Sequence, residues 1–400
     1  MRISDAQRFD IALNSMFRLQ ESTAKYQTQI STGLKVNNPA DDPVAAAQVL
    51  LINERVTASE QYDRNAEFAE LNLQQTEGAV ASANDVMQRI RELTIQGKNT
   101  TLTDADRRSI TTEVRQRLDE LKSLANSRNA AGEYIFSGTL VDTQAFTTDP
   151  TGSVVYNGDQ TSREIKISEF RTVTDGFTGF DAFAAIRNGN GTYVTDLAAG
   201  NTGSGRIVPG GVVDKSAYQA HDFRITFTAS DTYDVIDDTT GATVLAAQTY
   251  TDGAAITFNG IQLTLVGTPA AGDEFLAGPS QNQSVFETVD RLLATLESPT
   301  ALAADAAVFQ NDLDRALGDI DQAMDRFREV QGIVGARRNT IESQRVANED
   351  LRLQLNTVRS RLEDADLVEA VSRLAQESNA LQAAQAAFVR VQGLSLFNFL

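Results

Sequence analysis

Behind Ser4-Asp5-Ala6-Gln7, a capping-box pattern, apolar and polar positions recur with a helical period. Phe9, Leu13, Met16, Gln20, Thr23, Gln27, Ile30 and Leu34 follow one another at steps of four and three. The spacing predicts a helix whose apolar seam is diluted by polar residues at its centre. Breakers from Gly33 through Asp41-Asp42-Pro43 end it. Asp42 suits an N-cap and Pro43 a first helical position, which predicts a second helix over 43–97. Thr103-Asp104-Ala105-Asp106 has the form of another cap and opens a third helix to about 130, where Ala131-Gly132 ends it. Tyr134-Ile135-Phe136-Ser137 reads as a strand or extended segment.

From about 141 to 283 the pattern changes to short alternating runs. Phe223–Phe227, Tyr233–Ile236 and Ile261–Val266 read as strands, with hairpin turns at Asp238-Thr239-Thr240-Gly241 and Asn259-Gly260. Helical periodicity then returns. Leu351, Leu355, Val358, Leu362 and Ala365 hold one heptad frame. Leu367, Val371, Leu374, Ser378, Leu381, Gln385, Phe388 and Gln392 hold another. The two frames do not join, which predicts a hinge or a change of packing partner near 365. The chain closes on an apolar tip after Gly393. The fold class is therefore mainly α with an inserted β domain. The N- and C-terminal segments form a long antiparallel helical bundle or coiled coil, and a small antiparallel β domain lies in the middle.

Composition narrows the function. With 35 basic and 54 acidic side chains the net charge is -19, which disfavours a phosphate backbone as partner. There is no Cys and only one His, so thiolate chemistry and the common metal sites have no residues to build on, and an enzyme is disfavoured. No cofactor or metal site is expected. Asp231, Asp234, Asp237 and Asp238 lack the calcium-loop pattern and read as a solvated hairpin. His221 beside Asp222 reads as a loop histidine. Of 26 glycines, 17 lie in 141–283, and that segment carries 17 acidic against 7 basic residues. No run is long enough to cross a membrane, and Asp5, Asp10 and Asn14 interrupt any signal-peptide core. The chain is expected in the cytosol or exported by a route without a cleaved signal.

Three runs resemble the flagellin superfamily and, within it, its hook–filament junction proteins: Met1-Arg2-Ile3-Ser4, Gln29-Ile30-Ser31-Thr32-Gly33-Leu34-Lys35-Val36 and Asp41-Asp42-Pro43-Val44. Gly132-Glu133-Tyr134-Ile135-Phe136-Ser137-Gly138 and the ending Val391-Gln392-Gly393-Leu394-Ser395-Leu396-Phe397 add to the likeness. Pro43 departs from the Asp-Asp-Ala-Ala-Gly run usual in filament flagellins. The resemblance implies a secreted structural subunit of the bacterial flagellum, exported unfolded by the flagellar type III apparatus and assembled as a ring joining hook to filament. It implies an inner core of 1–40 and 365–400, a helical bundle of 41–140 and 281–364, and an outer β domain of 141–280. Phe9, Leu13, Met16 and Ile30 are then expected to pair with Leu367, Val371, Leu374, Leu381 and Phe388. Leu394, Leu396, Phe397, Phe399 and Leu400 are expected to extend that contact between subunits, and Gly33, Asp41, Asp42 and Pro43 form the family-motif loop. The implied partners are copies of the chain itself, another hook-associated protein on the hook side, flagellin on the filament side and an export chaperone on the C-terminal helix. No nucleic acid and no membrane insertion are expected. Two alternatives stay open: a filament-forming flagellin, or an adhesive, glycan-binding module on a helical stalk.

Overall fold

A computed structural model describes residues 5–298 and 302–397. Six α-helices carry the architecture: α1 (Asp5–Thr32), α2 (Pro43–Gly97), α3 (Asp104–Ala125), α4 (Val285–Leu296), α5 (Ala303–Glu363) and α6 (Leu367–Phe397). Ser4, the proposed first cap, lies outside the described residues. Asp42 caps α2 by accepting from the Val44 and Ala45 N–H groups at 3.2 and 3.0 Å, with Pro43 at the first turn, where its missing N–H has no cost. Thr103 and Asp106 form a reciprocal capping box on α3. Helix α3 stops at Ala125, short of the expected 130. Asn126 takes over, donating to the Lys122 and Phe146 carbonyls and accepting from the Phe146 N–H, which turns the chain aside. The strand or extended segment expected at Tyr134–Ser137 does not form: Tyr134 makes an isolated bridge to Arg128 and the chain then turns, its backbone hydrogen-bonded to Val141, Ser127 and Gly179 instead of to a neighbouring strand.

Chain contacts divide the protein into two units, Met1–Arg64 with Ser343–Leu400, and Asn65–Glu342. In the larger unit, α2, α3, α4 and α5 bury a shared apolar core that includes Leu73, Met87, Ile90, Leu121, Val289, Leu292, Ile320 and Phe327. Short strand pairs sit against it: β1 (Phe146–Thr148) with β2 (Val154–Tyr156), and β3 (Glu164–Lys166) with β4 (Thr172–Thr174). A third pair, β5 (Ile186–Arg187), joins a strand near residue 282. Phe136, Phe146, Phe183, Phe286 and Phe327 interlock there, with ring centroids 4.9 to 5.8 Å apart in successive pairs.

The same unit holds a second core. Strands β6 (Tyr193–Leu197), β7 (Arg206–Val212), β8 (Phe223–Ala229), β9 (Thr232–Asp237), β10 (Ala242–Thr249), β11 (Ala255–Phe258), β12 (Ile261–Val266) and β13 (Glu274–Pro279) make two antiparallel sheets, ordered β10-β9-β8-β13-β6 and β11-β12-β7; β14 (Asn282–Gln283) closes the pair with β5. Period-two burial along β8, β9 and β12 sends Phe223, Ile225, Phe227, Tyr233, Val235, Leu263 and Leu265 inward together. Asn259 and Gly260 both have positive φ, +45° and +74°, and turn β11 into β12. The strand-rich stretch from 141 to 280 thus serves two cores: 146–186 packs on the helices, and the sandwich starts at Tyr193.

Candidate assembly surface

In the smaller unit α1 and α6 lie antiparallel, with the Phe9 and Phe388 rings 5.0 Å apart at one end and Leu34 bridging Asp364 at the other. The seam runs through Ala12, Met16, Leu19, Thr23, Tyr26 and Ile30 on α1 and through Ala370, Leu374, Glu377, Leu381, Ala384 and Phe388 on α6, all buried or half-buried. This differs from the frame expected from sequence, which put Gln20, Gln27 and Gln385 inside. Those three are exposed, and Leu19, Tyr26 and Ala384 take their places. A straight helix drifts about 20° per heptad from a strict seven-residue repeat, so a frame anchored at one end slips off by one position further along. Polar residues still dilute the seam: Gln29 is buried and donates to the Lys35 carbonyl, and Ser22, Thr23, Glu377 and Ser378 are half-buried.

Of the residues singled out for assembly, Phe9, Leu13, Met16 and Ile30 lie on or beside this seam, as do Leu374, Leu381 and Phe388. Leu367 and Val371 are exposed on α6, about half of each accessible. The side chains of Leu394, Leu396 and Phe397, and Phe399 and Leu400 altogether, lie outside the described residues. Sequence reasoning passed over Ile11, Phe17, Val368 and Val389. Phe17 is 62% exposed and Val368 83%. The available signal was that they are apolar yet fall off the heptad frame. Leu50 and Leu51 on α2 and Leu351 and Leu353 on α5 are likewise exposed within this unit. Exposed apolar side chains on these helices make this unit the candidate assembly surface.

The loop between α1 and α2 is built rather than slack. Gly33 adopts φ +75°, the left-handed conformation that ends a helix. The Ala365 N–H donates to the Gly33 carbonyl at 2.9 Å and the Lys35 N–H to that of Glu363 at 2.6 Å, so the loop is stitched to the break between α5 and α6. That break is the discontinuity expected near 365. Asp41 accepts from the Asn37 and Asn38 N–H groups at 3.2 and 3.0 Å and pairs with Lys25 at 3.5 Å. Chiefly through the Asn38 N–H, its carboxyl titrates below the usual range. Asp366 caps α6 through the Val368 and Glu369 N–H groups. Gly33, Asp41, Asp42 and Pro43 therefore fix where one helix ends and the next begins.

Elsewhere the titratable residues have structural partners. The His221 Nδ1 and Asp237 Oδ2 atoms lie 2.8 Å apart, and Asp237 also accepts from the Thr239 and Thr240 N–H groups. Asp234 accepts from the Ala247 N–H, and Asp238 pairs with Arg224. Among the described residues no group of three His, Cys, Asp or Glu is placed to hold a metal ion, and no helix is long and apolar enough to cross a membrane.

Comparison with known proteins agrees with this geometry. Residues 3–140 match the bacterial flagellin N-terminal helical region, 317–400 the bacterial flagellin C-terminal helical region, and 197–279 the D2-like domain of flagellar hook-associated protein 1. These define the class: a flagellin-type protein whose terminal helical regions flank an inserted β domain. The crystal structure of Xanthomonas campestris FlgL is 33% identical, covers 76% of this chain and 99% of its own, and superposes with a TM-score of 0.69. That of hook-associated protein 3 from Legionella pneumophila is 30% identical, covers 78% and 98%, and gives 0.74. The Escherichia coli (strain K12) flagellar hook-associated protein 3 is 24% identical over 398 residues, 99% of each chain. Within the flagellin class, the chain belongs to the flagellar hook-associated protein 3, or FlgL, family.

Proposed function

We propose that the chain is a structural subunit of the junction between flagellar hook and filament, closing a ring of identical copies. The observation that carries this is the uneven use of apolar side chains. The terminal-helix unit leaves Phe17, Leu50, Leu353, Val368 and Val389 exposed, whereas in the larger unit buried apolar side chains far outnumber exposed ones. Copies meet head to tail, because a ring demands heterologous interfaces. In this reading 1–40 with 365–400 forms the inner layer, 41–140 with 281–364 the next, and 141–280 the outer layer. Another hook-associated protein lies on the hook side and flagellin on the filament side. Before assembly, an export chaperone covers the amphipathic C-terminal helix by a helix-in-groove contact. The chain leaves the cell unfolded, and its lack of cysteine suits that passage.

The glycan-binding alternative finds little support. Of the sandwich aromatics, Tyr193, Phe223, Phe227, Tyr233, Phe258 and Phe275 are buried and Tyr218 and Tyr250 half-buried; within 141–280 the exposed ring is Phe170, between β3 and β4, and a single ring is a poor platform for a sugar. Immunogold microscopy of intact flagella, with antibody against 141–280, tests the proposal. It expects one cluster of label where hook meets filament. Label along the whole filament would make the chain a filament subunit, and no label on intact or depolymerised flagella would remove it from the flagellum.

A further inference from the structure

Five glycines interrupt the described parts of the two long helices, and they fall into two kinds. A Cβ on Gly97 would meet Leu296 at 2.9 Å, and one on Gly318 would meet the Gly189 carbonyl at 3.2 Å, so close packing accounts for both. Gly78 on α2 and Gly332 and Gly335 on α5 are different. None has a heavy atom within 4 Å of where its Cβ would stand, and none has positive φ. Gly78 and Gly332 are exposed and Gly335 is half-exposed. Alanine would fit all three, and each glycine leaves its helix about fivefold easier to open locally than alanine would.

The three occupy one level. Helices α2 and α5 run antiparallel, registered by Arg338 on Glu70 and Glu77 and by Arg91 on Asp321. That register sets Gly78 near the level of Gly332 and Gly335. Helix α3, held antiparallel to α2 by Arg89 on Glu113, ends at Ala125 near the same level. On the inner side, Val80, Val330 and Val334 stay fully buried. The weak points therefore lie on the outward faces, opposite a packed seam and just where a supporting helix stops.

We propose that Gly78, Gly332 and Gly335 form a shared bending point at which α2 and α5 flex together. Sharp helix bends concentrate at glycine and proline, and two antiparallel helices locked by side chains on either side can bend only if both yield at one height. A subunit seated between two unlike lattices gains from such a joint. That use rests on the junction reading, whereas the bending does not.

Hydrogen exchange of the full-length free chain, read by mass spectrometry, tests it. Windows 74–82 and 328–338 should exchange at least tenfold faster than 86–93 and 313–324 on the same helices. Gly78→Ala with Gly332→Ala and Gly335→Ala should slow both windows by about ten- to a hundredfold and raise the melting temperature. Gly78→Ala alone should also slow the α5 window, the signature of a joint motion. The proposal is overturned if the glycine windows are as protected as their neighbours. A triple variant that melts lower or fails to fold overturns it too, since the glycines would then serve close packing. An α5 window indifferent to Gly78→Ala would leave two separate weak helices and no shared joint. Assembly of the triple variant, scored separately by electron microscopy, bears on the junction reading alone.

Discussion

The terminal-helix unit and the larger unit use the same residue types to opposite ends. Among the described residues, only Ala45, Val56 and Ala370 are buried apolar positions in 1–64 and 343–400, while 14 large apolar side chains there are exposed. Residues 65–342 bury 55 and expose 11, although that unit is more than twice as long. The sandwich and bundle cores are complete in one chain. The α1/α6 seam is mostly half-buried, and a helix pair of this kind gains little from its own burial to set against an ordering cost of ~1–2 kcal/mol per residue. One region buries its apolar side chains within the chain, and the other leaves many of them exposed.

The variant expected to break this contrast most completely is Leu374→Asp with Leu381→Asp. Two carboxylates in the seam should abolish assembly, scored by electron microscopy of secreted protein, while the sandwich keeps its near-ultraviolet circular dichroism. In the other direction, Phe275→Ala or Phe227→Ala empties the sandwich core and should destabilise that domain by about 3–5 kcal/mol in denaturant titration. Assembly through α1 and α6 should survive it. Phe17→Ala with Val368→Ala sharpens the comparison. The free chain should lose less than about 0.5 kcal/mol of stability, because neither side chain is buried, yet the concentration needed for assembly should rise about tenfold or more.

The smallest effect concerns pH. Burial, and then the neighbouring Asp196, raise the Asp312 carboxyl above its ordinary range. A raised folded-state value means the group costs nothing in acid, where it is protonated both folded and unfolded, and weakens the fold as pH rises through that value. Asp312→Asn should therefore raise the melting temperature at pH 7.5 while leaving it nearly unchanged at pH 3.5.

Much of the fold was legible. Asp42-Pro43, the Thr103 capping box, Asn259-Gly260 and the alternation along Phe223–Phe227 act over a few residues, so spacing alone locates them. The end of α3 was not legible, because Asn126 stops it by reaching Phe146, twenty residues on. Nor was the division of 141–280 between two cores, which depends on Phe146 and Phe183 meeting helix residues Phe286 and Phe327. For the assembly surface, periodicity found the helices and the residues at their ends. It missed Leu19 and Tyr26, because the seam drifts, and Phe17 and Val368, because a residue left out of a seam looks ordinary until the partner helix is placed.

The central claim is that the apolar side chains exposed on the terminal-helix unit are covered by neighbouring copies. Hydroxyl-radical footprinting of the free chain and of purified hook–filament junctions measures this residue by residue. The account predicts strong protection of Phe17, Leu50, Leu353, Val368 and Val389 on assembly, with Val208 and Val244 on the sandwich oxidised equally in both states. Equal oxidation of the first set in the two states would contradict it.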